Sequence, residues 1–309
     1  VLRKVARKRG LSLKRRKMSR EDSITVVHVD LEKGESAKKS YPDLRAYVGG
    51  VGTASKLVLD YQNLDPIVFS IGPLNGFFPY ASKTCVAFLD EGKFVDTYGG
   101  GRLSTRLKYT GVDAFILEKK AREPCVLVLD GSGAVLVPAD TAVESLGIPG
   151  RRCGVEVLDG SVLIDGYFAF GDQRLSKKLG EAGIKGIVVS ATSGFQIENR
   201  ERYDRQYNEM LGKVGEMLIE AGSNPSCSGC PMGCARSNLG ENGGNVFIHS
   251  LVSCVFSESI YSSIPLAFAC LNSLGYDYVH EDLEALPDLV YTNINKIYEK
   301  ASDSKLETE

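Results

Sequence analysis

The chain has 309 residues, 43% of them hydrophobic and 25% charged, which is the make-up of an ordinary globular protein of two domains. No apolar run reaches the roughly 18 residues that cross a bilayer, which excludes a membrane span. The formal net charge of −2 conceals an acidic body, because residues 1–20 carry ten Lys or Arg and no acid while the rest holds 27 bases against 39 acids; general nucleic-acid binding is excluded on that balance.

Residues 1–21 form a basic arm, VLRKVARKRGLSLKRRKMSRE, without the apolar stretch of a secretory signal and without aromatic stacking platforms. It is expected to be either a solvated tail or an extension ahead of a true start at Met18. From residue 22 to 195 short β-branched runs alternate with Gly-rich turns: ITVVHV, PIVFSIGP, KTCVAFLD, DAFILEKK, CVLVLDGSGAVLV, SVLIDGYFAF and KGIVVSA. Runs of that length bounded by Gly, Pro or Asp predict the strands of a mainly β domain. Three segments beside glycines, LRAYVGGVGTASKLVLDY, RLSTRLKY and RLSKKLGEAG, predict short helices.

From residue 196 to 309 the period becomes helical. Tyr203, Tyr207, Met210, Leu211, Val214, Met217, Leu218 and Ala221 step by three or four, which predicts one helix over residues 199–222 with a single buried face, closed by Gly222 and Pro225. IPLAFACLNSLG and LEALPDLVYTNINKIYEKA predict two more helices, and the terminal DSKLETE is expected to be frayed. The fold class is therefore α+β, a β-rich domain over 22–195 followed by a helical domain over 196–309.

The strongest chemical signal is SNPSCSGCPMGCARSN. It sets Cys227, Cys230 and Cys234 at C-x2-C-x3-C spacing among Gly229, Pro231 and Gly233, a tight loop that can aim three thiolates at one soft metal centre. Zinc is the weaker reading, since it prefers four ligands and no His-x3-His or second C-x2-C follows. An iron-sulfur cluster is expected. Its fourth position is left between Cys254, Cys270 in the apolar run LAFACLNSLG, a ligand from another chain and no protein ligand at all; Cys254 is preferred because a thiol in an apolar run usually serves as a small hydrophobe. Eight cysteines clustered for metal rather than spread as a disulfide framework point to a reducing, cytoplasmic setting.

Two Gly-rich turns are candidates for anion binding. In Asp96-Thr97-Tyr98-Gly99-Gly100-Gly101-Arg102, a strand end runs into a helix start, so free amides backed by Arg102 can cradle a phosphate; a turn that needs positive φ is the commoner cause. In Gly49-Gly50-Val51-Gly52 no cation is present, and close backbone packing explains the glycines equally well. General acid-base chemistry has no candidate: His28 sits in a strand, His280 at the surface, and His249 alone lies near the cysteine loop in sequence.

PIVFSIGPLNG, YGGGRLSTRLKYTGVDAFILEKKAREPCVLVL, the CSGCPMGC loop and LAFACLNSLGYDYV, in that order and spacing, resemble the tungsten-containing aldehyde ferredoxin oxidoreductases over residues 22–280. The resemblance implies a β domain that forms the base for a tungsten or molybdenum bis-pterin, helical domains that hold a 4Fe-4S cluster, and oxidation of an aldehyde to a carboxylic acid with electrons passed to a ferredoxin-like carrier. By that resemblance Gly99, Gly100 and Gly101 admit a pterin phosphate, with Lys83, in the place of a phosphate-binding arginine, and Arg102 neutralising it.

The departures are as specific as the matches. Val51 replaces an arginine of the early turn, Tyr98 replaces an asparagine beside a magnesium, and residues 170–177 (FGDQRLSK) replace a Gly- and Arg-rich loop. The acidic segment that faces substrate in the family aligns with Gly243-Gly244-Asn245-Val246-Phe247, which has no carboxylate. Family members are substantially longer, and their third domain supplies half of the pterin contacts, the substrate channel and the fourth cluster cysteine. This chain alone is therefore not expected to hold the full bis-pterin. The expectations are a redox subunit that works with a partner subunit supplying the missing domain, a non-catalytic electron-transfer or scaffold subunit that keeps only the cluster, or an inactive copy.

Overall fold

The computed structural model describes residues 23–191, 195, 197 and 199–306; the basic arm lies outside the described residues. The first half builds β1 (Ile24–Asp30), β2 (Glu35–Tyr41), α1 (Gly50–Asp60), β3 (Ile67–Ser70), β4 (Thr84–Asp90), β5 (Lys93–Gly99), α2 (Leu103–Thr110) and β6 (Ala114–Glu118). It continues with β7 (Cys125–Leu129), β8 (Ala134–Pro138), β9 (Arg152–Leu158), β10 (Ser161–Ile164), β11 (Phe168–Ala169), α3 (Arg174–Glu181) and β12 (Ile184–Ser190). The second half holds α4 (Arg200–Gly212), β13 (Glu241–Asn242), α5 (Val246–Leu251), α6 (Glu258–Tyr261), α7 (Ile264–Ser273), α8 (His280–Glu284) and α9 (Leu286–Leu306).

The strands form two mixed sheets, a seven-stranded one in the order β13-β5-β4-β3-β6-β1-β2 and a six-stranded one in the order β11-β10-β9-β12-β7-β8. Side chains alternate between faces along a strand, and that period sorts the core. Val27, Val29, Phe69, Val86, Phe88 and Phe115 of the first sheet meet Leu127, Val155, Val162, Ile164, Ile187 and Val189 of the second. Val26, Val68, Ala87, Ala114 and Ile116 point the other way and are covered by α1, through Val51, Ala54, Leu57 and Val58, and by Ile297 of α9. A third core of Phe78, Met210, Met232, Ile248, Leu251, Tyr261, Leu271 and Leu283 belongs to the helical half. The α+β class expected from the sequence is the observed one.

The helical half is laced into the β half. β13 pairs with β5 (Glu241 opposite Tyr98), and α9 lies on the first sheet's outer face. The turn at Gly49-Gly50-Val51-Gly52 explains its own composition: a Cβ on Gly50 would stand 1.9 Å from the His249 carbonyl oxygen, and Gly50 holds φ of 47°. Close backbone packing is the reason for those glycines.

Three local features depart from the sequence reading or lie beyond it. The helix expected over residues 199–222 ends at Gly212 and passes through a 3-10 turn at Lys213–Glu216, which leaves Leu211, Val214 and Leu218 exposed. Gly212 and Gly215, poor helix formers, sit where the helix stops. α9 runs on to Leu306, into the DSKLETE segment expected to be frayed, of which residues 307–309 lie outside the described residues. β2 (ESAKKSY) and β9 (RCGVEVL) were not legible as strands: β2 is a polar edge strand recruited by its pairing with β1, and β9 is only half apolar.

Phe69 is fully buried where the two sheets meet, stacked on Phe115 at 4.5 Å between ring centres and edge-on to Phe170 at 6.2 Å. Phe69→Ala is expected to cost about 3–5 kcal/mol, read as a lower urea midpoint with unchanged slope.

Candidate metal centre

The cysteine loop is held from three sides. The Ser228 N–H donates to the Gly101 carbonyl at 2.9 Å, the Tyr80 N–H to the Gly229 carbonyl at 3.3 Å, and the Gly222 and Asn224 N–H groups to the Met232 and Gly233 carbonyls at 2.8 and 3.0 Å. Within the loop, the Cys230 N–H returns to the Cys227 carbonyl at 3.0 Å. Gly229 (φ 79°) and Gly233 (φ 50°) take the left-handed conformations that turn the backbone between the thiols. Gly233 has no alternative, since a Cβ there would stand 2.6 Å from the Gly222 oxygen.

Cys227 is buried, Cys230 and Cys234 half-buried. Burial pushes all three of Cys227, Cys230 and Cys254 up, Cys230 to about 12. Specific donors oppose this: the Gly101 amide, the Lys83 ammonium and the Ser82 hydroxyl favour the Cys227 thiolate, and the Met232 amide favours that of Cys230. Amide N–H groups directed at sulfur stabilise a thiolate, the form in which cysteine binds metal.

Cys254 and Cys270 separate clearly. Cys254 is buried within electrostatic reach of Cys230 and Cys227, whereas Cys270 sits in the helical core near Tyr261 and Glu209. Among the described residues no three His, Cys, Asp or Glu side chains converge as closely as a single metal ion requires. A four-iron cluster is wider than a single ion and takes thiolates set further apart.

Beside the thiols lies a buried ion pair that the sequence did not reveal. Glu241 bonds the Lys83 ammonium with one carboxylate oxygen and accepts the Val255 N–H with the other at 2.9 Å. Both side chains are under a tenth exposed. Burial alone would pull the lysine down, but Glu241 and then the Cys254 and Cys227 sulfurs outweigh it and its pKa is raised. The sequence comparison found no carboxylate at 243–247; the one that matters stands two residues earlier, on edge strand β13, and only the strand pairing reveals where it points.

The Gly99-Gly100-Gly101 turn is filled from both sides. A Cβ on Gly100 would lie 2.5 Å from the Cys227 sulfur, on Gly99 2.9 Å from Ile164 and Phe170, and on Gly101 2.8 Å from Phe168. Arg102 donates from Nε to Asp165 at 2.8 Å. The glycines thus seat the cysteine loop and the second sheet, and both cations assigned to a phosphate are engaged by carboxylates. As placed, Lys83, Gly99, Gly100, Gly101 and Arg102 do not fit a phosphate-bearing pterin.

The histidines also sort themselves. His28 is structural: Nδ1 meets Glu118 at 2.8 Å and Nε2 meets the Tyr41 hydroxyl at 2.8 Å. His280 is exposed beside Glu284. His249 is fully buried and stacked on Tyr98 with 3.8 Å between ring centres, and Tyr98 donates to Asp96 at 2.5 Å. Neither His249 nitrogen has a hydrogen-bond partner among the described residues; the Gly243 carbonyl is near enough to favour the charged ring slightly but is not in bonding geometry.

A two-sheet α+β body that presents four thiols beside a buried ammonium defines a protein with a candidate soft-metal centre. Residues 26–148 match the family model "Aldehyde ferredoxin oxidoreductase, N-terminal domain". A solved structure, "Active site complex BamBC of Benzoyl Coenzyme A reductase in complex with 1,5 Dienoyl-CoA", is similar at a TM-score of 0.57 and 16% identity over 90% of this chain. The match spans 64% of that other chain and extends the likeness of fold into the helical half. No helix among the described residues is long and apolar enough to cross a membrane.

Burial, then the Lys83 charge, lowers His249 from 6.5 to about 4. An imidazole lowered on folding takes its proton more readily in the unfolded chain, so its contribution is complete above about pH 6.5 and is lost as pH falls towards 4. The loss is on the order of 3 kcal/mol. Urea unfolding between pH 7 and pH 4 is expected to show that decline, and His249→Phe to remove most of its pH dependence.

Proposed function

We propose that this chain is an electron-transfer subunit of oxidoreductase type, holding a 4Fe-4S cluster on Cys227, Cys230 and Cys234 with Cys254 as fourth ligand. The observation that carries the reading is that Glu241, bonded to Lys83 beside the loop thiols, also accepts the Val255 N–H and so holds the backbone next to Cys254 in the same buried pocket. When bound, such a cluster supplies one-electron transfer. The chain's own part is to stabilise the thiolates through the Gly101 and Met232 amides and the Ser82 hydroxyl, and to set one buried positive charge, Lys83, beside them. A ferredoxin-like carrier is the electron partner this reading calls for.

A second reading keeps the catalytic role: oxidation or reduction of an aldehyde or oxo group, with a tungsten or molybdenum pterin held mainly by a partner subunit. It is favoured by the family domain and by the solved neighbour, whose title names a complex. Leu211, Val214 and Leu218 are exposed, and a groove of 520 Å³ between Met217 and Met232 adjoins them, an apolar surface beside the cysteine loop for such a subunit to cover. The filled glycine turn supports the first reading.

Anaerobic purification with metal and sulfide analysis separates the two. Iron and sulfide in equal amounts are expected in the chain; tungsten or molybdenum in the complex that co-purifies with it from its native source would establish the second reading, a complex with iron alone the first, and zinc or no metal would defeat both. Cys254→Ala and Cys230→Ser are expected to lose most of the iron and Cys270→Ala to keep it. Iron lost from Cys270→Ala but retained by Cys254→Ala would overturn the ligand assignment.

A further inference from the structure

Lys83 is packed against the segment that carries Cys254 on both sides of that cysteine. The Asn75 side-chain amide donates to the Lys83 carbonyl at 3.3 Å and to the Val252 carbonyl at 3.5 Å, and the Lys83 ammonium lies 5.7 Å from the centre of the Phe256 ring. Toward the loop, the preceding residue Ser82 offers its hydroxyl to the Cys227 sulfur, and the Ser104 hydroxyl holds the Ser82 carbonyl at 2.9 Å. Lys83 therefore touches the surroundings of both the loop thiols and the remote one. Glu241 is fixed from the other direction: the Thr97 hydroxyl donates to its carbonyl at 3.1 Å, and the Val255 N–H to its carboxylate at 2.9 Å.

The two charges act unequally on the four sulfurs. Lys83 favours the ionised forms of Cys227, Cys230 and Cys254, whereas Glu241 bears chiefly on Cys254 and disfavours its ionisation. The lysine side chain is 3% exposed and the glutamate 8%, so both act through a low dielectric and are little screened by salt. The reduction potential of an iron-sulfur cluster follows the net charge and hydrogen bonds around it. A nearby cation favours the added electron, and a nearby anion opposes it.

We propose that Lys83 and Glu241 tune the reduction potential of the centre held by the four cysteines, Lys83 raising it and Glu241 lowering it. The lysine dominates because it lies against both the loop and the Cys254 segment. The inference rests on the cluster reading above. The step concerned is entry of one electron from an external donor; no bond to either side chain forms or breaks.

The test uses the full-length chain reconstituted anaerobically with ferrous iron and sulfide, titrated with dithionite at controlled potential and followed by the electron paramagnetic resonance of the reduced cluster, with iron counted per chain. Lys83→Met is expected to lower the potential and Glu241→Gln to raise it, each on the order of tenfold in the reduction equilibrium, about 59 mV for one electron. The double variant, which strands no charge, is expected to fall between Lys83→Met and the wild type, and the shifts to persist at high ionic strength. Iron-loaded single variants with unchanged potentials would overturn the proposal, as would shifts in the same direction, the result of merely loosening the site. If a single variant fails to load iron, the double variant decides: a potential at or above that of the wild type overturns the proposal. Wild-type chain that takes up no iron would sink the cluster reading and this inference with it; iron-loaded variants without the opposed shifts would sink the tuning alone.

Discussion

The buried contact between Lys83 and Glu241 governs how the two halves of this chain meet. Lys83 stands just ahead of β4, Glu241 sits on β13 at the sheet edge, and the second Glu241 oxygen holds the backbone immediately after Cys254. One carboxylate therefore ties together the first sheet, the segment leaving the cysteine loop and the backbone beside Cys254. A pair this deeply buried adds little stability relative to apolar packing, yet removing one partner strands a charge at a cost of about 3–5 kcal/mol. Its value lies in register: a slip of β13 by one residue would turn Glu241 to the opposite face of the sheet.

The same pair changes what the glycine turn can do. In a site built for a phosphate, Lys83 and Arg102 would stand free and the turn at Gly99 to Gly101 would lie open. Here Lys83 answers Glu241, Arg102 answers Asp165, and the missing Cβ atoms make room for the Cys227 sulfur and for Phe168 and Phe170. The composition of the turn suits an anion cradle and a packing joint equally well, and the partners decide between them. A phenylalanine pressed against a glycine gives close packing, while an amide left without an acceptor would have pointed to a ligand.

How much of this was legible in the sequence depended on range. The strands around Phe69, Phe88 and Phe115 and the helices at residues 264 and 286 were legible because their side chains repeat at the period of the element that buries them. β2 was not, since Glu35 to Tyr41 has no apolar repeat and becomes a strand only by pairing with β1. The helix begun at Arg200 kept an apolar period beyond Gly212, but a period says which face would be buried, not whether a partner exists, and Leu211, Val214 and Leu218 remain exposed. The loop cysteines were legible from local spacing. Glu241 was not, because its importance comes from a strand pairing across more than 140 residues.

Charge balance links the thiols to the rest of the site. In the metal-free chain burial favours neutral thiols at Cys227, Cys230 and Cys254, which is the inexpensive way to keep sulfur in an apolar core. Binding a soft metal reverses this: protons leave, and negative charge accumulates in a pocket with few routes to water. The groups already in place meet that charge at short range, the Gly101 and Met232 amides and Ser82 along the loop and the Lys83 ammonium behind it. Lys83 thus has two partners in reach of one charge: Glu241, through which it fixes the register of β13, and the sulfurs of Cys227 and Cys254, whose ionised forms it would offset.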